Sequence, residues 1–140
     1  MSRLRVSTFV AASLVLRVAA AGAYTPEVEF ALNCQGCHRA DGAGTPGSVP
    51  PLAHSVARFL AVPGGRDYLV QVPGVAQAPL DDAMLAAVVN WMLTRFDAQH
   101  VPKDFRPYTA DEIGRLRKSP LVDVEKVRAA LLAELGRSAR

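Results

Sequence analysis

The chain has 140 residues, 50% of them hydrophobic, 21% charged and 6% aromatic. That length allows one domain with a core of its own, and the composition excludes both a disordered tail and a polytopic membrane protein. Sixteen Lys and Arg against thirteen Asp and Glu give a formal +3, which points to nucleic acid or a membrane surface only if all the basic residues belong to the mature chain.

In chain order, Met1 to Arg5 carry two arginines, Val6 to Leu16 form an uncharged run, and Ala21-Gly22-Ala23 has the small-residue spacing of a signal cleavage site. Residues 1–23 are expected to be a secretory signal peptide. Arg17 sits poorly in such a signal, and it also cuts the apolar run short of a membrane span. Cleavage after Ala23 removes Arg3, Arg5 and Arg17 and no acid, so the mature chain is formally neutral. Nucleic-acid binding is therefore not expected, nor is membrane association once the signal is cleaved.

Thr25-Pro26-Glu27 predicts a helix start, with Thr25 as N-cap, Pro26 at the first helical position and Glu27 and Glu29 at the positive end of the helix dipole. This helix runs into Cys34. Residues 39–51 are dense in Gly and Pro and form a loop, of a length that in a small domain usually wraps something. Ser55 to Ala61 and Arg66 to Val72 predict two brief helices, stopped by Pro63-Gly64-Gly65 and Pro73-Gly74 respectively. Asp81 to Phe96 is the strongest helix, with Leu85, Val88, Val89, Met92 and Phe96 on one face. Beyond His100, Thr109 and Glu112 have the spacing of a capping box, and Val124, Val127, Leu131 and Leu135 mark a final helix that Gly136 is expected to stop. No β-alternating run occurs. The reading is all-α with long loops, residues 24–100 forming the main domain and residues 101–140 a C-terminal helical extension.

Cys34-Gln35-Gly36-Cys37-His38 is a C-x-x-C-H pentapeptide, the attachment signature of c-type haem. Two thiols three residues apart on a helical turn can each reach one vinyl group of the same porphyrin. His38, next to the second thioether, can then supply an axial nitrogen to the iron. A thioredoxin-type pair would want a βαβ context, a structural zinc site would need ligands that His54 and His100 do not supply at zinc-finger spacing, and a disulfide across so short a loop would add little stability. Export agrees with haem, since thiols outside the cytoplasm do not stay free.

With this motif the chain resembles the class I c-type cytochromes over about residues 24–98. Phe30 stands four positions before Cys34, where the family has an aromatic on its N-terminal helix. The stretch from Asp41 through Pro51-Leu52 looks like the Gly- and Pro-rich loop that follows the motif in bacterial members. Leu80 to Leu93 resembles the family's last core helix, with Trp91 placed to pack near Phe30. Pro26 departs from the small residue often found at the helix crossing. The resemblance implies a cytochrome c-like helical fold wrapped around one covalent haem c. It also implies a proline carbonyl, from Pro46, Pro50 or Pro51, accepting the His38 Nδ1 proton.

In the family a Met from the loop before the last helix usually completes the iron. Here that loop, Val72 to Pro79, contains no Met. Met92 is the first candidate for the sixth ligand, although its position on the apolar face also suits a core side chain. Met84 and His54 are the alternatives, and His100 is more remote. A five-coordinate iron is the remaining reading. No distal acid and base pair for peroxide cleavage is visible apart from Arg58 or Arg66, so the expected role is electron transfer and not catalysis. The resemblance implies a periplasmic monohaem cytochrome carrying single electrons from a dehydrogenase to a downstream redox protein or oxidase. The competing readings are a haem-based sensor or ligand-binding protein with an open sixth iron site, and the cytochrome subunit of a larger oxidoreductase held by the C-terminal helices. Residues 24–100 carry an excess of acids and residues 101–140 an excess of bases, so the tail is expected either to fold back on the body or to orient docking.

Overall fold

A computed structural model describes residues 24–138; the expected signal peptide, residues 1–23, lies outside the described residues. Among these residues every regular element is helical, and the one β-type contact is an isolated bridge between Thr45 and Val49. The chain runs α1 (Pro26–Asn33), α2 (Gln35–His38), a 3-10 turn (Val56–Ala61), α3 (Gly65–Gln71), α4 (Pro73–Ala76), α5 (Asp82–Asp97), a second 3-10 turn (Ala98–His100), α6 (Ala110–Leu116) and α7 (Val124–Ser138).

The helix starts follow the expected capping chemistry. Thr25 Oγ1 accepts from the Val28 N–H at 3.3 Å and Asp81 Oδ1 from the Met84 N–H at 2.7 Å, satisfying donors that the first turn leaves open. The helix from Arg66 stops before Pro73 as expected, α3 ending at Gln71, and Pro73 then opens α4 as its first residue, where its missing N–H costs nothing. Two local expectations are corrected. Gly136 does not stop α7, which continues to Ser138. Thr109 caps α6 by accepting from the Glu112 N–H at 3.2 Å, but the Glu112 carboxylate turns away from the cap to Arg66.

The core is organised on α5, whose Leu85, Ala86, Val88, Val89, Met92, Leu93 and Phe96 are buried. Phe30 from α1 meets it in an aromatic cluster: its ring centroid lies 5.3 Å from Trp91 and 5.1 Å from Phe96, tilted in both cases. Tyr108, Ile113, Leu131 and Leu135 of the C-terminal segment enter the same hydrophobic cluster as Phe30 and Leu93. Polar ties cross the same boundary. Asn90 donates to the Tyr108 carbonyl at 3.0 Å and accepts the Tyr108 N–H at 2.8 Å, while the Tyr108 hydroxyl donates to the Arg66 carbonyl at 2.8 Å. Arg66 in turn pairs with Glu112 through two bonds and stacks on the Tyr108 ring at 3.9 Å.

Candidate functional site

Cys34 sits at the junction of two helices. Its N–H closes α1 on the Phe30 carbonyl at 2.9 Å, and its own carbonyl accepts the N–H groups of Cys37 at 3.2 Å and His38 at 3.0 Å. The motif is thus a single helical turn that starts where α1 ends, and the i, i+3 spacing puts both thiols on one side of it. Neither thiol is in a disulfide; Cys34 is half-buried and Cys37 exposed. Burial raises the Cys34 pKa above its ordinary value, and the neighbouring Cys37 adds to the shift.

The chain reverses immediately after His38, with Arg39 in the left-handed region at φ 63°. The loop that follows folds onto itself. Gly44 N–H donates to the His38 carbonyl at 3.2 Å, Thr45 and Val49 exchange bonds at 2.9 and 2.8 Å, and the Gly42 carbonyl accepts from Leu52 and Ala53 at 2.8 and 3.1 Å. Two glycines make this closure available. Gly42 and Gly44 both have positive φ, and a Cβ would strike the Phe96 ring at Gly42 and the Val49 and Pro50 backbone at Gly44.

The loop closes over His38. Among the described residues, its Nδ1 is the one buried side-chain nitrogen or oxygen with no hydrogen-bond partner. Burial lowers the His38 pKa; the Pro50 carbonyl is near enough to oppose that shift but does not form a hydrogen bond of good geometry. Of the three prolines considered, Pro50 is therefore the one that faces His38. The lowered pKa favours the neutral imidazole, the form that binds a metal. Two free thiols on one turn, beside a neutral imidazole whose Nδ1 faces the Pro50 carbonyl and whose Nε2 is left as the donor, are the set that a covalent haem requires, so the residues present fit the group.

The sixth-ligand candidates are scattered. Met92 is 7% exposed and belongs to the hydrophobic core, and Met84, eight residues earlier on α5, is half-buried against that core. His54 is exposed, in the left-handed region at φ 56°, with its ring Nδ1 3.4 Å from Gln99 Nε2 and its N–H bonded to the Phe96 carbonyl at the far end of α5. His100 is engaged too, its Nδ1 lying 2.6 Å from the buried Asp97, whose other oxygen accepts the Ala57 N–H at 2.8 Å. Among the described residues no three His, Cys, Asp or Glu side chains cluster as a metal site. Arg66, considered as a distal group, is spent on Glu112 and Tyr108.

One residue that sequence reasoning missed dominates the connection between α4 and α5. Arg117 donates from Nε to the Ala76 carbonyl at 3.0 Å, from Nη2 to the Ala78 carbonyl at 2.5 Å, and from Nη1 to the Leu80 carbonyl at 2.8 Å and Asp82 Oδ1 at 3.0 Å. No sequence signal marks it, because an arginine at the end of a helix normally reads as a solvated complement to the helix dipole.

No protein-family profile matches the chain. It is 38% identical over 106 residues to cytochrome c-552 of Thermus thermophilus, a match covering 63% of this chain and 81% of that protein. The cytochrome c-552 of Thermus thermophilus strain ATCC 27634 matches at the same 38% identity over 72% of its length. The matched span exceeds 63% of 140 residues, so within it this chain is shorter than its relatives. The all-helical fold, the self-closing loop after the C-x-x-C-H turn and this similarity converge. The chain belongs to the class I c-type cytochromes, monohaem electron carriers with covalently bound haem c.

Proposed function

We propose that Cys34 and Cys37 hold the haem through thioethers, that His38 is the axial ligand, and that the chain works outside the cytoplasm, between a dehydrogenase donor and a downstream redox protein or oxidase. The observation that carries the site is the single turn that holds two free thiols beside His38, whose buried Nδ1 faces the Pro50 carbonyl. When bound, the haem iron supplies a one-electron couple, tuned by its axial ligand and surroundings. The protein's part is positional. The Cys34 carbonyl orders the turn, Gly42 and Gly44 let the loop fold back on His38, and the Pro50 carbonyl faces the imidazole to set its tautomer.

Residues 1–23 are proposed as the export signal that takes the chain to the periplasm, and residues 101–140 as an extension to a cytochrome domain of residues 24–100. No helix among the described residues is long and apolar enough to cross a membrane. Tyr108, Ile113, Leu131 and Leu135 are already spent on this chain's own core, which favours a mobile carrier over a subunit anchored through those helices. Part of the opposed charge is spent the same way, since Arg117 of the tail pairs with Asp82 of the body.

A potentiometric titration followed optically tests the assignment. The holoprotein should show one reversible one-electron wave. Replacing His38 by Ala should change the spin state and shift that wave; an unchanged spectrum and midpoint would remove His38 from the iron.

A further inference from the structure

The helix that runs into the motif turn carries apolar side chains on two sides. Phe30 is spent inward on Trp91 and Phe96. Tyr24, Val28 and Leu32 recur at every fourth residue on the outer side, where they are 62%, 38% and 66% exposed. Among the described residues the other exposed large hydrophobics are Val122, ahead of α7, and Leu132 within it, which share no helix face. Single exposed side chains of that kind are ordinary, whereas a stripe at helical spacing is a surface.

This stripe stands on a rigid support. Thr25 caps α1 at its start, the Cys34 N–H closes it on the Phe30 carbonyl at 2.9 Å, and the Phe30 ring pins it to α5. Past Leu32 the chain enters the motif turn, where Gly36 and Cys37 are exposed and a Cβ on Gly36 would meet nothing within 4 Å. The apolar stripe and the thiols proposed to hold the haem are thus neighbours on one continuous stretch of chain.

The borders of the stripe are acidic. Glu27 and Glu29 stand one residue to either side of Val28 and so flank it on both edges, and Asn33 Nδ2 donates to the Glu29 carboxylate at 2.9 Å, holding it in place. Residues 24–38 contain no Lys or Arg; the first base is Arg39, beyond the turn, followed by the exposed Asp41. These borders select the occupant. Two copies of the stripe set face to face would bring the glutamates against their counterparts, and an anionic lipid surface would be repelled in the same way. An apolar patch ringed by Lys and Arg satisfies both the stripe and its borders.

We propose that the outer face of α1, with Tyr24, Val28 and Leu32 between Glu27 and Glu29, is the docking surface through which this cytochrome exchanges its electron, and that the redox partner presents an apolar patch ringed by cationic side chains. This rests on the carrier reading above and adds the partner's chemistry to it. The apolar centre makes the contact, while the carboxylates speed the approach and are screened by salt.

The test follows the full reduced holoprotein by stopped flow with two one-electron oxidants, tris(phenanthroline)cobalt(III), a cation with an aromatic surface, and hexacyanoferrate(III), a polar anion. Each takes one electron from the ferrous protein and leaves it ferric. Val28→Ser with Leu32→Ser should lower the cobalt rate about fivefold or more and leave the hexacyanoferrate rate within about twofold, at unchanged haem content and midpoint potential. Leu32→Ser alone, at the most exposed of the three positions, should act in the same direction. Glu27→Gln with Glu29→Gln should lower the cobalt rate and raise the hexacyanoferrate rate at low salt, and high salt should remove both differences. Leu132→Ser, on α7, should change neither rate. A protein that takes up no covalent haem overturns the carrier reading together with this proposal. In the haem-loaded protein, a cobalt rate unchanged by the paired serine substitutions overturns the docking surface alone. So does an equal fall with both oxidants, or an equal effect of Leu132→Ser. A dimer, or binding to neutral phosphatidylcholine vesicles, that the same substitutions abolish also overturns it, because the stripe would then have a different occupant.

Discussion

The turn and loop of residues 34–53 and the connection of residues 72–82 are built by opposite means. The first gathers two thiols and an imidazole, and its backbone is closed by its own hydrogen bonds and by glycines at positive φ. The second presents methyl groups inward and is fastened from outside by one arginine at a distance of some forty residues in sequence. Local closure leaves the side chains of the first segment free for chemistry, and it depends on few residues elsewhere. Remote fastening makes the second segment depend on the C-terminal extension.

The largest predicted effect breaks the chemical side of this contrast. Cys34→Ser with Cys37→Ser should abolish covalent attachment altogether, so that acidified acetone extracts all colour from any haem that remains. Phe30→Ala comes next. It removes the ring that joins α1 to Trp91 and Phe96, and should cost about 4 kcal/mol in denaturant unfolding, from lost transfer energy plus the cavity. A loss under about 1 kcal/mol would mean that the cluster is not the anchor of the motif helix.

Arg117→Ala sharpens the comparison directly. It should cost about 3 kcal/mol, because carbonyls and a carboxylate lose a charged donor. Amide exchange should speed up over residues 76–82 and stay unchanged over residues 34–53. Arg117→Lys should recover only part of the loss, since an ammonium cannot reproduce the planar fork. Equal exchange changes in both segments would refute the separation between them.

The smallest effect concerns the Arg66 and Glu112 pair, worth about 1 kcal/mol at its partly exposed position. The Arg66 hydrogen bonds hold the Glu112 pKa below its ordinary value, with burial opposing. A carboxyl whose pKa is lower folded than unfolded adds stability that is complete above the unfolded value. That stability is lost as pH falls through the carboxylate range to the folded value. Glu112→Gln should therefore lower stability near neutrality and flatten the acid limb of the stability profile. A parallel downward displacement of the whole profile would show that the pair does not titrate as described.

Much of the motif side is legible because its signals are local. Caps at Thr25 and Asp81, the C-x-x-C-H turn, the Gly and Pro loop and the apolar face of α5 all rest on spacings of four residues or fewer, or on a helical period. The facing of Phe30 and Trp91 comes through the family resemblance. The connection is legible only as a lack of Met. Its fastening by Arg117, the diversion of Glu112 from its cap to Arg66, and the shared core of Tyr108, Ile113, Leu131 and Leu135 are contacts between residues far apart in sequence. Propensity and period carry no record of such contacts. Gly136 misleads because glycine can stop a helix or be tolerated within one, and tertiary packing decides which.

The most direct test of the central claim, that Cys34, Cys37 and His38 form one haem site, is the intact mass of the protein expressed with a cytochrome c maturation system. A mass raised by one haem in the native protein, and by none in the Cys34→Ser, Cys37→Ser double variant, is the predicted result. An unmodified native mass, or a haem retained covalently by the double variant, would contradict it.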